Sequence, residues 1–161
     1  MTSKVLFVCL GNICRSPTAH GVFQKLILDA GLQDSIHVDS AGTGDWHIGH
    51  SPDERTQLAA SKRGYDLSML RARQVSVADF QAFDYVLAMD KSNLKDLRVM
   101  AGDKPRCHVS LFLDFAESSW KREVPDPYFG GEDGFETVLE LVEDAARGLL
   151  ATIRGREEAN Q

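Results

Sequence analysis

Four short, nearly continuous apolar runs alternate with amphipathic segments along this chain of 161 residues. A strand that is apolar throughout is buried on both faces, which is typical of a parallel sheet covered by helices. The runs are 4–8, 36–40, 85–89 and 107–111. They predict an α/β fold of the doubly wound, flavodoxin-like kind, with a four-stranded parallel sheet and helices on both faces.

Capping signals predict where the helices begin. Ser16-Pro17 is typical of a helix start, with the serine as N-cap and the proline in the first turn. Ser51 and Glu54 have the spacing of a capping box, which predicts a second helix. The other predicted helices are 77–83 after Ser76, 91–100 after Asp90, and 135–153. The polar tail 154–161 is expected to fray, and one domain over 1–161 is expected because no linker or repeat interrupts the chain.

Composition excludes several classes of function. The net charge is −6 and the pI about 5.3, so nucleic acid is not expected as a partner. Because neither a membrane-length apolar run nor a secretory signal is visible, we expect a cytoplasmic protein with no membrane partner. The three cysteines lack zinc-ligand spacing, so neither a metal nor an organic cofactor is expected. A monomer or weak dimer is the expected assembly.

The segment between the first strand and the first helix places Cys9 and Arg15 six positions apart. A strand-to-helix turn directs several backbone N–H groups at one point, and the helix N-terminus adds a positive dipole. Gly11 and Asn12 suit the sharp curvature of such a turn, and a guanidinium can bind two phosphate oxygens at once. The predicted phosphate-binding residues are Leu10, Gly11, Asn12, Ile13, Cys14 and Arg15.

Cys9 faces this predicted phosphate site. The backbone N–H groups, the helix dipole and the Arg15 charge should stabilise its thiolate, with the Ser16 hydroxyl as a further donor. A thiolate beside a bound phosphate is placed for in-line attack on phosphorus, which would give a phosphocysteine intermediate. A Cys-x5-Arg pattern also arises by chance, and a small buried cysteine at a strand end is the alternative reading.

Four blocks of sequence, in order, resemble the low-molecular-weight protein tyrosine phosphatases. They are VCLGNICRSP at 8–17, DSAGT at 39–43, FDYVLAMD at 83–90 and PDPY at 125–128, and the resemblance covers nearly the whole chain. It implies hydrolysis of phosphotyrosine in a phosphoprotein substrate, with Cys9 as nucleophile and Arg15 as phosphate clamp. It also implies that Asp126 protonates the departing phenolate and then activates water.

The resemblance also implies supporting roles. Asn12, Ser16 and Ser40 would brace the loop. Ile13, Trp46, Tyr128 and Phe129 would form the substrate cleft. Two positions depart from the family pattern: Phe129 stands where vertebrate members often have a second tyrosine, and Leu70 where some relatives have a histidine.

Other readings remain open at this stage. Cys14 either packs in the core or forms a reversible disulfide with Cys9 that protects it from over-oxidation. Asp126 could be only a turn residue, and Asp90 is expected to be a helix cap. The alternative functions are an arsenate reductase and a protein-arginine phosphatase of the same fold. Arsenate reductases that resolve the arsenic adduct internally need further cysteines after the third strand, and the corresponding helix here, 91–100, has none. Protein-arginine phosphatases of this family carry a threonine where Ile13 stands.

Overall fold

A four-stranded parallel sheet organises the computed structural model, which describes residues 2–103, 105–128 and 132–159. The strands are β1 (Ser3–Cys9), β2 (Ile36–Gly42), β3 (Tyr85–Ala88) and β4 (His108–Leu111), in the order β2-β1-β3-β4. The helices are α1 (Arg15–Asp29), α2 (Glu54–Lys62), α3 (Asp79–Ala82), α4 (Lys91–Ala101) and α5 (Glu132–Ala159), with a 3-10 helix at Phe112–Phe115. The predicted four-stranded parallel sheet is confirmed.

Alternate residues of β1 enter two separate hydrophobic clusters. Val5, Phe7 and Cys9 pack with residues of α1 and α5 on one face of the sheet. Leu6 and Val8 pack with residues of α3 and α4 on the other. Burial on both faces explains why β1 shows no polar alternation, and it confirms helices on both sides. The alternation also puts the Cys9 side chain on the same face as α1.

The first two helices begin at caps other than those predicted. Helix α1 starts at Arg15 with Cys14 as the N-cap residue, so Ser16 is not the cap. Helix α2 is capped by Asp53, whose carboxylate accepts the N–H groups of Arg55 and Thr56, so the prediction for Ser51 is wrong. Asp53 is the better cap because its charged oxygen reaches two free N–H groups at once.

Helix α3 is shorter than predicted, and the backbone N–H of Ser76 donates a hydrogen bond to the helix instead of the Ser76 side chain accepting one from it. The Ser76 N–H donates to Asp79 Oδ2 at 2.8 Å, whereas the prediction had the Ser76 side chain capping the helix. The side chain of the N-cap residue, Ala78, has no polar atom, so it cannot bond the free N–H groups.

Helix α5 extends beyond both predicted limits. It begins at Glu132 and continues to Ala159, so the expected fraying from residue 154 is wrong over 154–159. Arg156 anchors this last part: its Nη1 donates to the Tyr85 hydroxyl at 3.0 Å, and its guanidinium lies 5.6 Å from the Tyr85 ring centroid. In the described ranges no helix is long and apolar enough to cross a bilayer.

Candidate active site

The loop that joins β1 to α1 curves at Asn12. Asn12 has φ 57, the one positive φ among the described residues other than glycine. Its amide nitrogen donates to Ser16 Oγ at 2.7 Å, and its Oδ1 accepts the Arg73 N–H at 3.0 Å. Asparagine tolerates this left-handed conformation better than most residues. Residues 9–15, called the phosphate cradle below, are therefore held in a tight curve from both sides.

Cys9 ends β1 at the base of the phosphate cradle. Its Sγ accepts the Asn12 N–H at 3.3 Å and lies 3.1 Å from Ser16 Oγ. Because Ser16 Oγ already accepts from the Asn12 amide, its own hydrogen is free to point at Cys9 Sγ or at the Ala41 carbonyl, 3.3 Å away. The Asn12 N–H and the Ser16 hydroxyl therefore both lie within bonding distance of the sulfur.

Arg15 is buried beside Cys9, with 3% of its surface exposed. Its Nη1 donates to Asp90 Oδ2 at 2.6 Å and to the Val124 carbonyl at 3.0 Å. Burial works against the charged form, but negative charge at Cys9 and the hydrogen bond to Asp90 outweigh it and raise the pKa of Arg15. The guanidinium is a permanent cation held in one orientation.

Asp126 approaches Arg15 from a loop before α5. Its Oδ2 lies 3.7 Å from Arg15 Nη2, and its Oδ1 accepts the Tyr128 N–H at 3.0 Å. Its side chain is 38% exposed, so water can reach it. We call residues 124–128 the acid loop. It is placed here by the bond between Val124 and Arg15, which joins residues 109 positions apart.

The three predicted catalytic residues share one cleft of about 130 Å³. Its lining comes from the phosphate cradle, the loop after β2 and the acid loop: Cys9, Leu10, Gly11, Ile13, Cys14, Arg15, Trp46, His47, Asp126 and Tyr128. The structure brings together a cysteine sulfur, a fixed cation and a partly exposed carboxylate. This set can bind a phosphate dianion and exchange a proton with a group attached to it.

Comparison with known proteins gives a family for this arrangement. A family model described as low molecular weight phosphotyrosine protein phosphatase matches residues 4–159. The chain belongs to this family. Among the family's curated members, YfkJ of Bacillus subtilis, a low molecular weight protein-tyrosine-phosphatase, is 46% identical over 155 residues, which are 96% of this chain and 98% of YfkJ.

Solved structures of phosphatases show the same fold. A protein tyrosine phosphatase from Entamoeba histolytica superposes with a TM-score of 0.93 at 38% identity, covering 97% of this chain and 99% of the other. A Drosophila arginine phosphatase gives a TM-score of 0.87 at 35% identity, covering 93% and 97%. At these sequence identities the likeness extends beyond a shared fold.

Two of the aromatic residues predicted for the substrate cleft, Trp46 and Tyr128, line the cleft that contains Cys9. Trp46 is 66% exposed, and its ring lies over Gly44, where a Cβ would meet the ring at 1.9 Å. The His47 and Tyr128 ring centroids are 6.5 Å apart. Phe129 lies outside the described residues. An exposed aromatic beside a cleft offers a flat apolar surface for a planar group.

Ser40 does not brace the cradle as the resemblance implied. Its hydroxyl lies 3.1 Å from His20 Nδ1 on α1, so the described contacts give it no direct bond to the cradle. Gly42, two residues later, is the residue of β2 whose backbone closely approaches the phosphate cradle. Its N–H donates to the Arg73 carbonyl at 2.8 Å, and a Cβ there would come within 2.7 Å of the Leu10 carbonyl oxygen.

Arg73 is a bracing residue that the sequence did not indicate. Its Nε donates to Asp39 Oδ2 at 3.0 Å, and its two terminal nitrogens bind the Asp79 carboxylate at 3.0 and 3.1 Å. The fixed side chain holds the Arg73 backbone, whose N–H bonds Asn12. Leu70, at the position of the family's histidine, packs against the core. Bracing from this segment therefore comes from Arg73.

Cys14 lines the same cleft as Cys9 but is buried. Burial raises the pKa of the Cys14 thiol to about 12, so it is protonated at neutral pH. All three cysteines are free thiols. Within the described part of the chain, no three His, Cys, Asp or Glu side chains are grouped so as to hold a metal ion.

Proposed function

We propose that the protein hydrolyses phosphotyrosine in phosphoprotein substrates through a phosphocysteine intermediate on Cys9. The observation that carries this proposal is the cleft that Cys9, Arg15 and Asp126 share, in which Asp126 Oδ2 lies 3.7 Å from Arg15 Nη2. Curated relatives that match over nearly their whole length are named as tyrosine phosphatases. Trp46 and Tyr128 provide the apolar walls that a phenyl ring would contact.

In the first step the Cys9 thiolate attacks phosphorus and the bond from phosphorus to the phenolic oxygen breaks. Backbone N–H groups of the phosphate cradle and the Arg15 guanidinium bind the equatorial oxygens, where charge develops. Asp126, protonated at the start, gives its proton to the departing phenolate. The products of this step are tyrosine, phosphocysteine and an ionised Asp126.

In the second step water replaces the thiolate. The Asp126 carboxylate takes a proton from the attacking water, whose oxygen bonds to phosphorus. The bond from sulfur to phosphorus breaks, and Cys9 leaves as a thiolate stabilised by Asn12 N–H and Ser16 Oγ. Inorganic phosphate is released and Asp126 regains its proton. No electrons are transferred, so the cycle needs no reductant.

Phosphoarginine is the second candidate substrate, because a Drosophila arginine phosphatase shares the fold at 35% identity. The apolar side chain of Ile13 and the aromatic walls favour a phenyl ring over a guanidinium, which needs polar partners in the cleft. An arsenate reductase that resolves its adduct internally is disfavoured because helix α4 contains no cysteine.

The test is a comparison of three phosphopeptides of one sequence, carrying phosphotyrosine, phosphoarginine or phosphoserine at the same position. We expect kcat/KM to be highest for phosphotyrosine by at least about tenfold. Arsenate with a thiol reductant serves as the control, and no arsenite should form. A higher kcat/KM for phosphoarginine would replace the proposed substrate with the second candidate.

A further inference from the structure

One guanidinium, that of Arg55 on α2, contacts the acid loop, the N-cap of α2 and the start of α5. Its Nη2 donates to the Tyr128 carbonyl at 3.0 Å, which reaches the acid loop. Its Nε and Nη2 bind the two oxygens of Asp53 at 3.2 and 3.1 Å. Its Cζ lies 5.5 Å from the Tyr128 ring centroid and 5.0 Å from that of Phe135, close enough for cation–π attraction.

Asp53 joins this guanidinium to the phosphate cradle. Its N–H donates to the Ile13 carbonyl at 2.8 Å, while its carboxylate caps α2. The Asp53 backbone is therefore fixed to the cradle, and its side chain fixes the orientation of Arg55. A two-point bond between guanidinium and carboxylate is directional, which a single contact would not be.

The acid loop completes a continuous path. Arg55 holds the Tyr128 carbonyl, and the Tyr128 N–H donates to Asp126 Oδ1 at 3.0 Å. This bond orients the carboxylate and leaves Oδ2 on the side of Arg15. The path from cradle to acid is Ile13, Asp53, Arg55, Tyr128 and Asp126.

The energetics suit a positioning role better than a stabilising one. Arg55 is half exposed, and an ion pair at such a site adds little to folding stability. General acid catalysis is far more sensitive, because a displacement of about 1 Å can cost about 100-fold in rate. We propose that Arg55 is a positioning residue that fixes the position of the Asp126 carboxylate relative to the phosphate cradle. This role rests on the proposed function.

The test measures single-turnover phosphorylation of Cys9 by aryl phosphates with leaving groups of different pKa. Arg55→Ala should slow the reaction about tenfold or more with phenyl phosphate and much less with p-nitrophenyl phosphate, whose phenolate departs without a proton. Arg55→Lys, which keeps the charge but not the two-point bond, should fall between wild type and alanine. Arg71→Ala is the matched control, since Arg71 is exposed and its hydrogen bonds within the described residues go to the Ser68 and Leu70 carbonyls.

A second arm combines Arg55→Ala with Asp126→Asn. If Arg55 acts through Asp126, adding Arg55→Ala to Asp126→Asn should cost no further rate. Losses that multiply in the double variant, or an equal loss with both leaving groups, would overturn the proposal. If Arg55→Ala fails to fold, Arg55→Lys decides on the same two criteria. A wild-type enzyme inactive on both aryl phosphates would overturn the proposed function itself, so the two failures are distinct.

Discussion

Asp90 accepts a 2.6 Å hydrogen bond from Arg15 Nη1 with one oxygen and caps α4 through the Asn93 N–H with the other, at 2.7 Å. One carboxylate thus fixes the phosphate-binding guanidinium to the end of β3, where α4 begins. The Val124 carbonyl holds the same nitrogen at 3.0 Å. Arg15 is oriented before any phosphate enters, so binding requires little reorganisation of charge.

Replacing the nucleophile should separate binding from turnover. Cys9→Ser keeps the size of the side chain, but a hydroxyl is far from ionised at neutral pH, so we expect hydrolysis to fall to background. The phosphate cradle would remain, so inorganic phosphate should still bind, as measured by isothermal titration calorimetry, and the circular dichroism spectrum should be unchanged. Substantial residual hydrolysis by this variant would contradict the role of Cys9.

Replacing the acid should affect the two half-reactions differently. Asp126→Asn should slow phosphorylation of Cys9 by about 100- to 10,000-fold for a basic leaving group and much less for an acidic one. Activation of water would remain impaired for every substrate. With p-nitrophenyl phosphate we therefore expect a rapid burst of product followed by slow turnover. One common factor for all leaving groups in the first step would assign Asp126 to loop structure alone.

Mild peroxide should reveal whether Cys14 protects Cys9. Peroxide would oxidise the Cys9 thiolate to a sulfenic acid with loss of hydroxide, and attack by Cys14 sulfur would form a disulfide and release water. Dithiothreitol should then restore activity in the wild type. In Cys14→Ser, further peroxide would oxidise the unprotected sulfenic acid to a sulfinic acid, which dithiothreitol does not reduce, so activity should stay lost.

The raised pKa of Cys14, about 12, makes formation of this disulfide depend on pH. Only the Cys14 thiolate attacks, and below its pKa the thiolate fraction rises about tenfold for each unit of pH. Disulfide formation should therefore become faster between pH 6 and 9. Peptide mapping by mass spectrometry measures the disulfide. Finding Cys14 free while Cys9 is irreversibly oxidised would exclude the protective role.

Asp144 on α5 should govern part of the stability at neutral pH. Its carboxylate accepts the N–H groups of Glu117, Ser118 and Ser119 in the segment that leads toward the acid loop. Burial alone would raise the pKa of Asp144, but these three donors hold it below the ordinary value. We expect Asp144→Ala to lower the free energy of unfolding by about 1–3 kcal/mol at pH 7.

The sign of the pH dependence follows from that lowered pKa. The stabilisation is fully present above the unfolded-state pKa of about 3.9 and is lost as pH falls through the folded-state pKa. Urea unfolding of wild type and Asp144→Ala should therefore differ down to about pH 4, and the difference should shrink only as pH falls further, through the lowered folded-state pKa. Asp34→Ala, which removes an exposed carboxylate, is the control and should follow the wild-type curve. A constant gap at all pH values would show that the charge of Asp144 is unimportant.

The strands could be predicted because burial on both faces leaves a local signal. The run at 4–8 is apolar whichever helices cover it, and β1 forms there. The caps were harder, since a hydroxyl at a helix start has competing uses. Ser16 was predicted as an N-cap, but its Oγ accepts from the Asn12 amide and lies 3.1 Å from Cys9 Sγ.

Residues that support the site through distant contacts left no signal in the sequence. Arg73 reaches Asn12 across 61 positions, and Arg55 reaches Tyr128 across 73. Neither arginine has a neighbour in sequence that would indicate such a contact. Asp126 was assigned mainly through family resemblance, and its carboxylate lies 3.7 Å from Arg15. Its acid role stays a prediction.

The bond from Arg15 to the Val124 carbonyl also has a consequence for the protein during its synthesis. A ribosome makes Cys9 and the rest of the cradle well before it makes Val124 and Asp126. A nascent chain that has folded β1 and α1 still lacks the Val124 carbonyl, which orients Arg15, and the Asp126 carboxylate. We therefore expect chains that stop before the acid loop to hydrolyse phosphotyrosine far more slowly than the 161-residue chain.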